Sequence, residues 1–285
     1  MPLHEAHHRA RTHVHLAAHR PLDHVPVELR RPGVVPRRSH RGCRVSVHLV
    51  GGGFTPTGDP EVTGVFLAEA AARAAGSGRI VPRIGVLLVV ADDVPSEGFR
   101  AEYPASLRAV AACEPVVTVL VAGERFAPAV LTDIDGLVIG GGLTPAYLAA
   151  VDDIVEEIRL LVADGLPYLG FSAGAMIAAD RAVIGGWRIN GVPVCPEATA
   201  EGLDEVTIAE GLGLVDLAVD VHAAQWGTLG RLVAATEAGM VDGGVAIDEG
   251  TVLIVADEGF AVHGAGSVWQ VLDEPAGVIV GILGA

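Results

Sequence analysis

Lysine is absent from the 285 residues, so all 19 basic side chains are arginine. The gap removes three chemistries at once: a Walker A lysine, a lysine Schiff base and a Ser-Lys dyad. Cysteine is almost as scarce. Cys43, Cys113 and Cys195 are odd in number and widely spaced. They form neither a disulfide framework nor a CxxC metal site and read as three reduced thiols. No apolar run is long enough to cross a bilayer, because charges and glycines interrupt every candidate. The N-terminus lacks the apolar centre of a secretory signal. The expectation is a cytoplasmic protein with no membrane partner.

Positive charge is also missing from most of the chain. Residues 1–44 carry nine Arg against three acids, whereas residues 45–285 carry ten Arg against 32 acids. A body this acidic repels phosphates, so nucleic acid is not an expected partner. The first 44 residues hold eight of the 11 His and have no apolar period. They could bind a metal, but the composition fits better with a disordered extension, or with residues ahead of the true start of translation.

What is present begins near Val45. "RVSVHLVGGG" is a buried strand closed by glycines, and "DPEVTGVFLAEAAARAAGSGR" is a helix ending at Gly76. "RIGVLLVVADD", "PVVTVLVAG", "DIDGLVIGGG" and "LPYLGF" are further short apolar strands, separated by helical stretches. One of those, "TPAYLAAVDDIVEEIRLLVADG", reads as a single long helix with Pro145 in its first turn and Gly165 past its end. Strands alternating with helices predict an α/β domain of three α/β/α layers around a mostly parallel sheet. The last 45 residues read as antiparallel hairpins at one edge. No repeat or interior linker appears, so residues 45–285 are expected to form one domain.

In such sheets, ligands sit beyond the carboxyl ends of the strands. There, Gly170-Phe171-Ser172-Ala173-Gly174 fits G-x-S-x-G, a nucleophile elbow between strand and helix. Ser172 is the candidate nucleophile, with the Ala173 N–H as oxyanion donor. The alternative is a serine that merely caps the helix. Glycines 140–142 end another strand and could supply a second donor, or simply form a tight turn. Gly51-Gly52-Gly53 is not a dinucleotide loop, because Pro56 stands where the third glycine belongs.

A serine needs a base. His222, at the end of the apolar run in "VDVHAAQWGTLGRL", lies on the same predicted rim as Ser172, whereas His263 falls among the terminal hairpins. The candidates for the orienting acid lie between Ser172 and His222. Asp220 ranks first, since residues two apart on a strand share a face, and Glu201 follows.

"GFSAGA", "GGGLT", "DVHAAQWGTLGRL" and "GVAIDEGTVLIV" together resemble the serine peptidases of family S51, the dipeptidase E and cyanophycinase relatives, over roughly residues 46–272. The resemblance implies a class I glutamine amidotransferase-like fold. It implies a serine nucleophile matched by Ser172 and a catalytic histidine segment matched by Asp220 and His222. It also implies an oxyanion contribution matched by Gly141 and Gly142. Leu143 stands where the family usually has Asn. Trp226 and Thr228 occupy two places where cyanophycinases carry arginine, and only Arg231 remains. An indole cannot replace a guanidinium fork on a carboxylate. The substrate-binding candidates are therefore Leu143, Thr144, Trp226 and Arg231, with Trp226 suggesting an apolar or stacking pocket. The glutamine amidotransferases use cysteine at the elbow, and Cys195 lies too far along the chain to stand in. The expected activity is hydrolysis of an amide bond in a small peptide or amino-acid conjugate, with no metal or cofactor required. A homodimer is compatible with this reading, as is a binding protein on the same fold that has lost catalysis.

Overall fold

The computed structural model describes residues 46–91, 96–257 and 259–284. The reading of residues 1–44 falls outside them. In chain order the elements begin with β1 (Ser46–Val50), α1 (Pro60–Gly76), β2 (Arg83–Val90), α2 (Ser96–Val110) and β3 (Glu114–Val121). There follow β4 (Gly136–Ile139), α3 (Thr144–Val151), α4 (Val155–Ala163), β5 (Tyr168–Phe171) and α5 (Ala173–Met176). An excursion of short strands comes next: β6 (Arg181–Gly185), β7 (Arg188–Ile189), β8 (Val192–Pro193) and β9 (Thr207–Glu210). The remainder is β10 (Ala218–Val221), α6 (Ala223–Trp226), α7 (Leu229–Glu237), β11 (Gly243–Ile247), β12 (Thr251–Ala256), β13 (Gly259–Gly264), β14 (Val268–Glu274) and β15 (Gly277–Leu283).

The main sheet runs β13-β12-β1-β5-β4-β2-β3. Its five strands from β1 to β3 are mutually parallel, and β12 and β13 add antiparallel at the β1 edge. β1, β4 and most of β2 and β5 are buried along their length, as strands covered on both faces must be. One face packs under α1 and α2 through Phe66, Leu67, Ala70, Tyr103 and Leu107. α1 starts cleanly, because Pro60 occupies its first turn and the Asp59 side chain accepts the Glu61 N–H at 3.0 Å. Val62, Phe66, Ala70 and Ala74 then recur every four residues on its buried face. The other face packs under α3 and α4, where Tyr147, Val151, Ile154, Ile158 and Val162 are buried.

Two expectations are refined. The long helix over 144–165 is two helices, joined by a 3₁₀ turn at Asp152–Ile154. The terminal hairpins do not stay at one edge. β12 and β13 extend the main sheet, whereas β14 and β15 join β10 and β11 in a second, four-stranded sheet. β10 and β11 are parallel, and the other two pairings there are antiparallel. Among the described residues, no helix is long and apolar enough to cross a membrane.

Candidate active site

The carboxyl ends of β1, β5 and β4 lie side by side, and the site is built there. At the end of β5 the chain turns sharply into α5. The two elbow glycines permit this by close approach. A Cβ on Gly170 would stand 2.4 Å from the Gly174 carbonyl oxygen, and one on Gly174 would stand 2.2 Å from the Ile139 carbonyl oxygen. Neither position can accept a side chain. Between them Ser172 adopts φ 52°, ψ −108°, a conformation L-residues rarely hold and one typical of functional strain. Hydrogen bonds pin it on both sides: the Ser172 N–H donates to Val50 O at 2.9 Å and the Gly174 N–H to Gly140 O at 3.0 Å.

Ser172 occupies the cap position of α5 but makes no capping bond. Its Oγ lies 2.9 Å from His222 Nε2. The structure thus brings together the two residues that the sequence put forward as nucleophile and base. His222 sits just beyond β10, left-handed at φ 56°, ψ 36°, with its N–H donating to Gly51 O at 2.9 Å. Gly52, at φ +106°, lies flat against the imidazole, and a Cβ there would meet Cε1 at 2.0 Å. This is the work of the first glycine cluster, whose role the sequence left unassigned. On the imidazole, Trp226 stacks with ring centroids 3.7 Å apart and planes 7° from parallel. The indole is 46% exposed, so it caps the imidazole and still presents a face outward.

The expected carboxylate partner of His222 is corrected. His222 Nδ1 lies 2.7 Å from Glu249 Oε1, whereas Asp220 is turned away and engaged elsewhere. Asp220 accepts from Arg231 Nε at 2.8 Å and from Nη2 at 2.7 Å, with both side chains buried. Residues two apart do share a strand face, but that argument assumes His222 continues the strand. Its left-handed backbone breaks the alternation. The sequence reading expects the acid between Ser172 and His222, and Glu249 lies beyond that stretch. The available signal was the segment "IDEGT", which puts a carboxylate at the carboxyl end of β11, on the rim already used to select His222. The turn is tightly held. Asp248 accepts the Ala224 and Ser267 N–H groups and the Trp269 indole N–H, the Glu249 N–H donates to Gln225 Oε1, and the Gly250 N–H donates to Gly52 O.

Burial holds the His222 pKa below its ordinary 6.5, although Glu249 pulls it upward. At neutral pH the ring is uncharged. With Glu249 accepting from Nδ1–H, Nε2 is left with a lone pair facing Ser172. On the oxyanion side, the Ala173 N–H has no acceptor among the described residues. Gly141 lies close to the serine, its virtual Cβ 3.0 Å from Ser172 Cβ. Its N–H, however, donates to the Tyr103 hydroxyl at 3.3 Å. Desolvation pushes the Tyr103 pKa up to about 12, so the hydroxyl stays protonated.

Two substrate-binding expectations change. Arg231 is 1% exposed. Besides Asp220, it donates to Thr199 O at 2.8 Å and Gly186 O at 3.2 Å. Burial opposes its charge, yet Asp220 outweighs that and holds its pKa above the usual value. It ties β10 to the excursion and is not available to a ligand. Thr144 is fully buried, with its hydroxyl on Met176 Sδ and its N–H donating to Glu201 Oε2 at 2.9 Å. Glu201 therefore ends on the first turn of α3 and not on His222. Burial raises its pKa, with the Thr144 N–H opposing. Leu143 is half-exposed on the rim. His263 pairs with Val252 on β13, away from these contacts. Among the described residues, no three His, Cys, Asp or Glu side chains gather as a metal-ligand set.

The solved structure of a peptidase from an acI-B1 Actinobacterium superposes with a TM-score of 0.60 at 16% identity, covering 85% of this chain and 95% of that one. At that identity the likeness shows the fold. Among curated proteins, the pyridoxal 5'-phosphate synthase subunit PdxT of Frankia casuarinae is 37% identical over 107 residues, 37% of this chain and 46% of that protein. PdxT of a Parafrankia strain is 35% identical over 106 residues, 36% of this chain and 45% of that protein. The chain thus spans half or less of the length of the curated relatives it matches. The family model described as "Peptidase family S51" matches residues 106–263. That span takes in Ser172, His222 and Glu249, and on it the chain belongs to peptidase family S51.

Proposed function

We propose that this protein is a serine-type peptidase or amide hydrolase acting on a small peptide or amino-acid conjugate, with Ser172, His222 and Glu249 as its catalytic triad. The observation that carries the reading is the contact of Ser172 Oγ with His222 Nε2 at 2.9 Å, on a strained elbow. His222 Nε2 takes the Ser172 proton as Oγ attacks the scissile carbonyl carbon. The new oxyanion is held by the Ala173 N–H and by the Gly141 or Gly142 N–H. For Gly141 to serve, the Tyr103 hydroxyl must give way. The protonated ring, stabilised by Glu249, then passes its proton to the leaving amine. Water, deprotonated by the same nitrogen, releases the acyl group and restores Ser172.

Cysteine chemistry of the amidotransferase kind is not favoured. The elbow side chain is a hydroxyl, and the Cys195 thiol contacts Gly186 O and Thr199 Oγ1. The occupied Gly141 N–H favours one second reading, a ligand-binding protein without turnover. A fluorophosphonate followed by intact mass separates the two. The hydrolase reading expects one adduct on the parent, none on Ser172→Ala and sharply slowed labelling of His222→Ala. A folded parent that takes no label supports the binding reading.

A further inference from the structure

A narrow cavity of about 40 Å³ lies between α1, α2 and the carboxyl ends of β1 and β5. Its walls include Val62, Leu107, Phe54, Tyr103, Phe171 and Gly52. Three of them each touch a different part of the candidate site. Phe171 precedes Ser172 in the elbow. Gly52 lies against the His222 ring. Tyr103 puts its ring in the cavity wall and its hydroxyl on the Gly141 N–H. The aromatic rings pack on one another, with Phe54 and Tyr103 centroids 4.6 Å apart and Phe54 and Phe171 centroids 6.0 Å apart. The space therefore has a built apolar wall and sits within one residue of nucleophile, base and oxyanion donor.

Its chemistry is one-sided. Among the described residues no arginine lines it and the one charged residue on its wall is Asp59, and lysine is absent from the chain. A carboxylate entering it would be desolvated without a counter-charge and would meet a like charge. A water needs roughly 10–15 Å³ of such volume, so the cavity has room for about three methyl-sized groups. We propose that this cavity is the specificity subsite of the enzyme, taking a short aliphatic side chain next to the scissile amide and excluding carboxylate-bearing ones. The inference rests on the hydrolase reading above and names its substrate class.

The test uses the full-length protein and ethoxy fluorophosphonates bearing a methyl, n-butyl, n-hexyl or 2-carboxyethyl group. In each reaction Ser172 Oγ bonds to phosphorus, the P–F bond breaks, fluoride leaves and His222 takes the proton. The butyl probe should label about tenfold or more faster than the methyl probe, in line with the worth of added methylenes in an apolar pocket. The carboxyethyl probe should be slowest. Val62→Phe, which fills the cavity, should bring the butyl-to-methyl ratio close to one. Leu107→Ala, which widens it, should shift the preference from butyl towards hexyl, and this variant serves if Val62→Phe does not fold. Equal methyl and butyl rates on a parent that does label, or a faster carboxyethyl probe, overturn the subsite and leave the hydrolase reading standing. No labelling by any probe, the methyl one included, overturns the hydrolase reading, and the subsite falls with it.

Discussion

In the proposed reaction His222 has to be uncharged to accept the Ser172 proton, and its burial favours that form. Because its pKa lies below 6.5, the acid limb of a kcat/KM or labelling profile should fall below pH 6.5. The same sign governs stability. The contribution of the neutral native ring is fully present above the unfolded value and is lost as pH drops through the depressed native one. Glu249→Gln removes the carboxylate that pulls this pKa upward, so the acid limb should move lower still. Without the carboxylate the tautomer and the imidazolium lose their support, and labelling should slow by roughly 10²- to 10⁴-fold. Asp220 predicts a different outcome. Asp220→Asn leaves the Arg231 charge buried and uncompensated, which should cost about 3–5 kcal/mol in denaturant unfolding. Asp220→Asn combined with Arg231→Met should recover much of that loss. If Asp220→Asn slowed labelling without loss of stability, its assignment as a tie between elements would be wrong.

Glycine clusters decide the geometry at the strand ends. Gly52→Ala places a methyl within the imidazole's own space. It should slow labelling by about 10²-fold or more through misplaced reactants while the fold persists by circular dichroism. The strand-turn-helix at Ser172 and the rim position of His222 were legible because each follows an apolar run of strand length. The strand-end place of Glu249 was legible in the same way, but its pairing with His222 was not, because that depends on β11 lying beside β10, a contact between stretches 27 residues apart at the two side chains. The break between α3 and α4 was also invisible. The buried stripe Val151, Ile154, Ile158, Val162 steps by three and then four, which is the spacing of an unbroken helix. Only in three dimensions does Arg125 reach both Asp152 and Asp153 at the join. Arg231 was misread for a related reason. Its burial depends on the excursion folding back so that Thr199 and Gly186 offer carbonyls, and no local pattern announces that.

Across the whole molecule, excess negative charge acts against compactness. Ten Arg face 32 acids beyond residue 44, and self-repulsion is strongest where counter-ions are few. Raising NaCl from about 10 mM to 150 mM shortens the screening length from roughly 25–30 Å to about 8 Å, and the thermal midpoint should rise with it. A midpoint that fell over this range would mean that attractive pairs such as Arg79 with Asp133 and Asp135 outweigh the repulsion. The parallel sheet and its layers were readable from alternation alone. The division of the last strands between two sheets was not, because β12 and β14 each read as a strand and nothing local says that one pairs with β1 and the other with β11.

That division has a kinetic consequence. Glu249 sits in the turn joining β11 of the smaller sheet to β12 of the main one. Ser172 belongs to the main sheet and His222 to the end of the smaller. The Ser172–His222–Glu249 contact chain is therefore a clasp that closes only after both sheets have formed and docked, with β12 seated beside β1 across some two hundred residues of chain. Such distant pairings form late. During refolding, helical signal should return first, and chemical competence should be among the last properties to appear.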